Sequence, residues 1–514
     1  MTGAESIVQT LLDGGVDVCF ANPGTSEMHF VSALDRIGAM RCVLGLFEGV
    51  VTGSADGYGR MTGKPAATLL HLGPGFSNGA ANLHNARRAR TPIVNIVGEH
   101  ATGHLKYDSP LTTRLSDVAG PFSDWILRAQ SSQSAAKDAA EAIRAARTGN
   151  GQVASLLLSA DAAWGPCDGP ERVRAPDATA RIGSKAMDEA IRMLSSGEPT
   201  GLILGGQTLG AASLECAGRI AAATGARIMA YNLVPRLERG AGRVVLETIP
   251  YPVDMALAFL KGFKNLIVAA SEAPVAFFAY PGKPSVLTPA DCRIHTLARP
   301  DEDAATAICE LADVLAKNIA PAHVACFQKS EPARGAISSA AMGQSIAAML
   351  LDNAIVVDES ITAGKDFGAA TRHARPHDLL KNMGGSIGFG MPAATGAAIA
   401  CPDRKVLCLQ ADGSGMFTLQ ALWTHGRENL DILTIIFSNR TYAILHGEFV
   451  NVGAGKPGPR AERMMNIGSP DLDWCSLSRG MGVEASRATD MDMFNAQFAS
   501  AMAQRGPRLI EVIL

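Results

Sequence analysis

The stretch VLCLQADGSGMFTLQALWTHGRENLDILTIIFSNRTYAILH, residues 406–446, decides the fold. Val406–Gln410 is a short apolar run of strand length. At its end stand Asp412, Gly413 and Ser414, small polar residues where the chain must turn. Phe417–Asn429 then has helical spacing, with Leu419, Leu422 and Trp423 on one side. Leu433–Phe437 is a second apolar run, rich in β-branched residues at Thr434, Ile435 and Ile436, and it ends on Ser438-Asn439-Arg440-Thr441. The unit reads strand–turn–helix–strand. In a parallel sheet both strand ends fall on one edge, where open α/β sheets bind ligands.

The chemistry at those two ends is consistent. Asp412 offers a carboxylate, Asn439 an amide oxygen, and a backbone carbonyl lies close by. An oxygen-only donor set suits Mg²⁺, which also draws ligands from water and a bound phosphate. Gly413 lets the backbone approach a diphosphate, and a following helix N-terminus favours its charge. An Asp-Gly pair alone is an ordinary turn; the pairing of two strand ends carries the reading.

ADGS followed by SNRTY resembles the GDG…NN signature of thiamine diphosphate-dependent enzymes. The resemblance implies that Asp412, Asn439 and the Thr441 carbonyl hold Mg²⁺, which anchors the cofactor diphosphate, with Gly413, Ser414 and Tyr442 beside the cofactor. Ala411 stands where the family has its first Gly, and Ser438 where it has its first Asn; neither departure removes a matching metal ligand.

Composition sets the frame. At 514 residues the chain is too long for one core, and three domains of about 170 residues are expected. Hydrophobic residues make up 47% and charged residues 18%, which is globular composition. A net charge of −3 gives no reason to expect nucleic acid or an anionic membrane as partner. The ten cysteines are scattered singly, without CxxC or metal spacing, so free core thiols and a reducing, cytoplasmic setting are expected. The first residues, MTGAESIVQTLLDGG, lack the layout of a signal peptide, and no apolar run is long enough to span a membrane.

From the N-terminus, helices and strands alternate. Ala4–Gly14 reads as a helix, Val16–Phe20 as a strand, and Asn22-Pro23-Gly24-Thr25-Ser26-Glu27 as the turn after it. Met28–Ile37 is a helix and Cys42–Phe47 a strand ending on Glu48. Gly49–Arg60 is a small-residue helix, Ala66–Leu70 a strand ending at His71, LGPGFSNG a glycine-rich loop, and Ile93–Val97 another strand. Ala154–Leu158 is read as the strand that closes the first domain. This alternation gives an α/β fold of three doubly wound parallel-sheet domains, placed at 1–165, 183–320 and 335–514, with Pro- and Gly-rich linkers between.

FEGVVTGSADGYGR resembles the family's E-x-x-A-x-x-x-A-D-G-Y-A-R stretch, which implies that Glu48 bonds to the pyrimidine N1′ of thiamine. NPGTSE together with LLHLGPGFSN most resembles benzoylformate decarboxylase and related 2-oxo acid decarboxylases. By that resemblance Thr25 takes the place of a substrate-binding Ser, His71 of an active-site His and Asn78 of a cofactor-proximal Asn, with Pro23 at the cofactor. Acetolactate synthases share the GPG loop but lack the His, so His71 leans towards a decarboxylase.

In the middle domain Gly205-Gly206 forms a turn after the strand Thr200–Leu204. Acetolactate synthases carry FAD in this domain; no motif here is specific enough to indicate it. The decarboxylases often place a second His in the middle domain, and the matching APVAFFAYPG has none. In the third domain Asp358-Glu359-Ser360-Ile361-Thr362 resembles the diphosphate-contacting loop, with Thr362 at the contact. NMGGSIGFGMP, residues 382–392, implies Gly385 as the carbonyl facing the 4′-amino group and Ile387 as the apolar prop under bent thiamine. After Tyr442 the glycine-rich AILHGEFVNVGAGKPGPRAE reads as a loop, with Leu445, His446 and Glu448 as candidate substrate contacts. Pro470–Cys475, Val483–Ala485 and Leu509–Leu514 are read as completing the third sheet.

The resemblance implies a non-oxidative 2-oxo acid decarboxylase working through a C2 carbanion and enamine, in a homodimer or homotetramer with active sites at the subunit interface. The alternatives are an acetolactate synthase-like carboligase and, in another class, a non-catalytic cofactor-binding subunit.

Overall fold

Short aliphatic runs bounded by Gly, Pro and polar residues become buried parallel strands, and the alanine- and glycine-rich stretches between them become helices. The computed structural model describes residues 1–514. The first sheet holds β1 (Val18–Ala21), β2 (Arg41–Leu44), β3 (Ala66–Leu70), β4 (Ile93–Glu99), β5 (Trp125–Ala129) and β6 (Val153–Ser159). Its order is β2-β1-β3-β4-β6-β5, and every pairing is parallel.

The next six strands are β7 (Thr200–Leu204), β8 (Arg227–Tyr231), β9 (Leu237–Arg239), β10 (Glu247–Ile249), β11 (Asn265–Ala269) and β12 (Arg293–Ala298). Five of them form the parallel second sheet, β10-β8-β7-β11-β12. β9 leaves it for the third sheet, where it lies antiparallel to β14 (His377–Lys381). The other third-sheet strands are β13 (Ala354–Glu359), β15 (Val406–Ala411), β16 (Ile432–Ser438), β17 (Glu484–Ala488) and β18 (Arg508–Ile513). The order is β17-β18-β16-β15-β13-β14-β9. Three parallel α/β sheets are therefore present, and the borrowed β9 covers what would be an open edge.

The first and third sheets are locked together by two helices rich in small residues, Glu48–Thr62 and Gly390–Ala400. A Cβ on Gly57 would lie 2.1 Å from the Ala393 carbonyl oxygen, and one on Gly396 would lie 1.9 Å from that of Ser54. Only glycine allows backbones this close. Around the crossing, Val50, Ala55 and Tyr58 share one core with Met391, Ala394 and Ala397.

Several expectations are corrected. Glu48 does not end a strand: β2 stops at Leu44, Phe47 caps the next helix, and Glu48 is its first residue. LGPGFSNG is no loop but the start of the helix Leu72–Ala89. Pro74 is tolerated there because the amides of a first helical turn have no intrahelical partner. The short edge strand β5 adds to the strands read from the sequence, and Val153–Ser159 is the last strand of the first sheet in chain order. Phe417–Asn429 is helical only over Ala421–Arg427. The stretch after Tyr442 folds as two helices, Ala443–Asn451 and Pro459–Met465. Pro470–Cys475 is not a strand; Asp473 caps the helix Trp474–Gly480 by accepting from the Ser476 amide. Nor are all cysteines free. Cys216 and Cys309, on the helices Ala211–Thr224 and Ala304–Leu315, form a disulfide with Cα atoms 5.2 Å apart. No helix is long and apolar enough to cross a membrane.

Candidate active site

The C-terminal ends of β1 and β3 build one wall. After β1 the chain turns through Asn22–Glu27, and Glu27 folds back to accept from the Gly24 amide at 2.7 Å. The same carboxylate oxygen lies 2.8 Å from His71 Nδ1. Ser26 Oγ donates to the other oxygen of Glu27 at 2.5 Å and sits 3.2 Å from His71 Nδ1. Glu27 is only 3% exposed, so its partners rather than water hold its charge. Gly24 is required here, because a Cβ would lie 2.3 Å from the His71 ring. Pro23 and Thr25 belong to the same turn, with Thr25 exposed. The hydroxyl that meets His71 is that of Ser26, the neighbour of Thr25.

Glu27 itself was missed. The available signal was a Glu three residues after a turn glycine, which is capping-box spacing.

Glu48 lies beside this wall. Asn78 Nδ2 donates to Glu48 Oε2 at 3.1 Å. A Cβ on Gly75 would stand 3.3 Å from both Glu48 Oε1 and His71 Cβ, so a side chain here would crowd both residues. Leu72, directly after His71, has φ of 49°, a left-handed conformation costly for a leucine. Ile361 after β13 and Arg440 after β16 share it, at 52° and 58°. Strained turns thus follow three strands that carry candidate residues.

A separate group of candidate residues lies on the third sheet. Asp412 opens the turn after β15 and is 2% exposed. Its Oδ1 accepts from the Gly413 amide at 2.8 Å and its Oδ2 from the Arg440 amide at 2.7 Å. Burial raises its pKa above the usual carboxylate range, against those hydrogen bonds. Asn439 Oδ1 accepts from the Thr441 amide at 3.1 Å, which fixes the second donor. A buried carboxylate held by amides, with an amide oxygen and a backbone carbonyl at the neighbouring strand end, fits a hard divalent cation. The Tyr442 ring covers Gly413, where a Cβ would lie 2.5 Å from the ring edge. Ser414 Oγ accepts from Gln410 Nε2 at 2.6 Å.

Gly385 has φ of 76°, and its amide donates to Asn382 Oδ1 at 2.8 Å. Ile387 is half-buried two residues on, and Thr362 lies in the turn after β13. The helix Leu72–Ala89 joins this segment to the first wall. Asn82 Nδ2 donates to the carbonyls of Gly49 and Gly388, at 2.8 and 3.2 Å, and Asn85 Nδ2 to that of Ser386 at 2.8 Å.

Of the candidate substrate contacts, His446 Nε2 lies 3.2 Å from Thr441 Oγ1, which sets it beside the turn after β16. Glu448 accepts from Tyr280 of the middle domain at 2.9 Å, and Leu445 is exposed. The same middle-domain segment lays the Phe277 ring against Gly385. A cavity of about 920 Å³ opens at the strand ends of the second sheet, bordered by Gly206, Tyr231, Ser271, Phe277 and Gly384.

Comparison with known proteins identifies the family. Residues 1–120 match the family model for the N-terminal TPP binding domain of thiamine pyrophosphate enzymes, and residues 364–512 match the C-terminal TPP binding domain. "Putative acetolactate synthase large subunit IlvX" of Mycobacterium tuberculosis is 48% identical over 516 residues, covering 100% of this chain and 99% of that one. Benzoylformate decarboxylase of Pseudomonas aeruginosa is 26% identical over 531 residues, covering 97% and 96%. The solved thiamine diphosphate-dependent 4-hydroxybenzoylformate decarboxylase of Rhodococcus jostii RHA1 superposes with a TM-score of 0.86 at 22% identity, covering 100% and 99%, and so shares the fold. The chain belongs to the thiamine pyrophosphate enzyme family.

Proposed function

We propose that the protein is a thiamine diphosphate- and Mg²⁺-dependent decarboxylase that converts a 2-oxo acid to an aldehyde and CO₂. The observation that carries this is that Glu48 Oε1 and His71 Cβ both come within 3.3 Å of the point a Cβ on Gly75 would occupy, so the two side chains share one neighbourhood. Asp412, Asn439 and the Thr441 carbonyl would hold Mg²⁺, and Gly413, Ser414 and Thr362 would face the diphosphate. Pro23, Asn78, Gly385, Ile387 and Tyr442 would hold the rest of the cofactor. Bound thiamine diphosphate supplies the electron sink for the pair released as CO₂ leaves.

The chain's own residues do the proton work. Asn78 occupies one oxygen of Glu48, which orients the carboxyl and leaves Oε1 to hold or accept a proton. Glu27 accepts Nδ1–H of His71, which leaves Nε2 for the substrate: in the imidazolium form its N–H would hand a proton to the product carbon or donate to the substrate carboxylate. Thr25, Leu445, His446 and Glu448 are assigned to the substrate side. Assembly as a homodimer or homotetramer accords with the helix Ala443–Asn451, which has no buried residue and exposes Leu445 and Val450.

A carboligase is the second reading, favoured by the 48% identity to the acetolactate synthase-like relative. The test is a 2-oxo acid panel including benzoylformate and pyruvate, with thiamine diphosphate and Mg²⁺. Stoichiometric aldehyde and CO₂ support the decarboxylase. CO₂ with an acyloin or acetolactate moves the assignment to carboligase. Bound cofactor without turnover across the panel counts against both.

A further inference from the structure

Glu359 is a charged side chain that the chemistry above does not use. It ends β13, is 5% exposed, and accepts five hydrogen bonds. The amides of Gly388 and Phe389 reach Oε1 at 3.1 and 3.2 Å, and Asn382 Nδ2 reaches it at 3.3 Å. The Gly390 amide and Gln410 Nε2 reach Oε2 at 2.9 and 3.0 Å. Three of these donors open the helix Gly390–Ala400 or lead into it, where an anion is favoured by the helix dipole.

Two of the donors lead on to pieces of the candidate site. Asn382 also binds the Ser386 carbonyl at 2.6 Å and the Gly385 amide at 2.8 Å, so it shapes the turn that presents Gly385 and Ile387. Gln410 also donates to Ser414, in the turn that begins with Asp412. Glu359 itself lies three residues before Thr362. One carboxylate therefore ties the ends of β13 and β15 to the segment after β14. A surface ion pair tolerates movement; a dry carboxylate with five donors does not, because a lost bond leaves a buried group unpaired.

We propose that Glu359 is a positioning residue that sets the distance between the Gly385 carbonyl and the Asp412 metal turn. Glu359 thereby fixes how the two ends of thiamine diphosphate are held relative to each other. The inference rests on the family reading of the site and adds to it a residue whose carboxylate is held by five protein donors.

The test uses the full chain with Glu359→Gln and Glu359→Asp. Gln removes the charge and turns an NH₂ towards the Gly390 and Gln410 donors; Asp keeps the charge but shortens the reach. Binding of thiamine diphosphate with Mg²⁺ is measured by calorimetry. Exchange of the bound cofactor's C2 proton into D₂O is measured by acid quench and NMR, at saturating cofactor. The expected result is C2 exchange slower by about tenfold or more in both variants, on the scale of other outer-shell partners, persisting at saturation. Exchange that returns to the parent rate at saturation, or never changes, overturns the proposal. If Gln prevents folding, parent-like exchange in the Asp variant overturns it equally. Failure of the unmutated chain to bind thiamine diphosphate sinks the family reading and the proposal with it; normal binding and exchange in both variants sinks the proposal alone.

Discussion

His71 Nδ1 lies 2.8 Å from Glu27 Oε2, and that carboxylate is also fastened to the Gly24 amide and to Ser26. Three residues of the turn after β1 thus fix one imidazole at the end of β3. The orientation is set from behind, by a group that is buried and out of reach of substrate. Glu27→Gln keeps the shape but removes the charged acceptor and can present an NH₂ to His71. Turnover is expected to fall by about 10- to 100-fold, as for other groups that orient a reacting side chain. Loss of the imidazole in His71→Ala should cost about 10²- to 10⁴-fold. Because both act through one ring, the double variant should be no worse than His71→Ala alone. Additive losses in the two single variants and the double would show that Glu27 acts independently of His71.

Gly396 and Gly57 make the tightest helix crossing between the first and third sheets. The atoms that a new methyl group would meet are backbone oxygens, which cannot rotate away. Gly396→Ala should therefore lower stability by at least about 1–3 kcal/mol, the usual cost of overpacking, although alanine is the better helix former. Thermal unfolding of the variant against the parent checks the direction. An unchanged or raised melting temperature would mean that the two helices can separate freely.

The third-sheet core was legible because its strands are long, aliphatic and buried on both faces; the motif residues Asp412 and Asn439 sit at the expected strand ends. What escaped was set by partners rather than by local pattern. β9 is Leu-Glu-Arg, with no apolar run, and is a strand only because β14 accepts it. β5 is half-buried at a sheet edge, and Arg128 interrupts it. The helix starting at Leu72 was hidden by glycines and a proline that usually mark loops. Glu27 and Glu359 were present in quoted motifs, but their roles follow from donors 44 and up to 51 residues away in the chain.

Asp412 gives a prediction in which stability and binding move apart. Burial disfavours its charge in the metal-free fold, while an Asn there turns an NH₂ against one of its two amide donors; the effects oppose, so Asp412→Asn should change the stability of the apo protein less than it changes binding. The same change removes the one carboxylate of the donor set. If affinity for thiamine diphosphate with Mg²⁺ falls a hundredfold, ligand-linked stabilisation drops by about 2.7 kcal/mol. The readout is the melting-temperature rise on adding both, in parent and variant. An Asp412→Asn variant that keeps the full rise would remove Asp412 from the metal site.

Acid sensitivity should trace to His425. This residue is fully buried on the helix Ala421–Arg427, with Nε2 2.9 Å from Thr395 Oγ1 and 3.2 Å from the Met391 carbonyl. Burial pushes its pKa down to about 4. In the unfolded chain the imidazole titrates near 6.5. Between those values the unfolded state binds a proton that the folded state refuses, so stability falls as pH drops from about 6.5 towards 4. The full difference corresponds to about 3 kcal/mol. His377, also pushed down to about 4, acts in the same direction through a separate site. His425→Gln removes one of the two titrations while keeping a polar group for Thr395. The variant should start less stable at pH 7.5 and lose less on going to pH 4.5, so the two stability curves converge in acid. Parallel curves from denaturant melts across that range would show that His425 is already protonated in the folded protein or titrates without being buried.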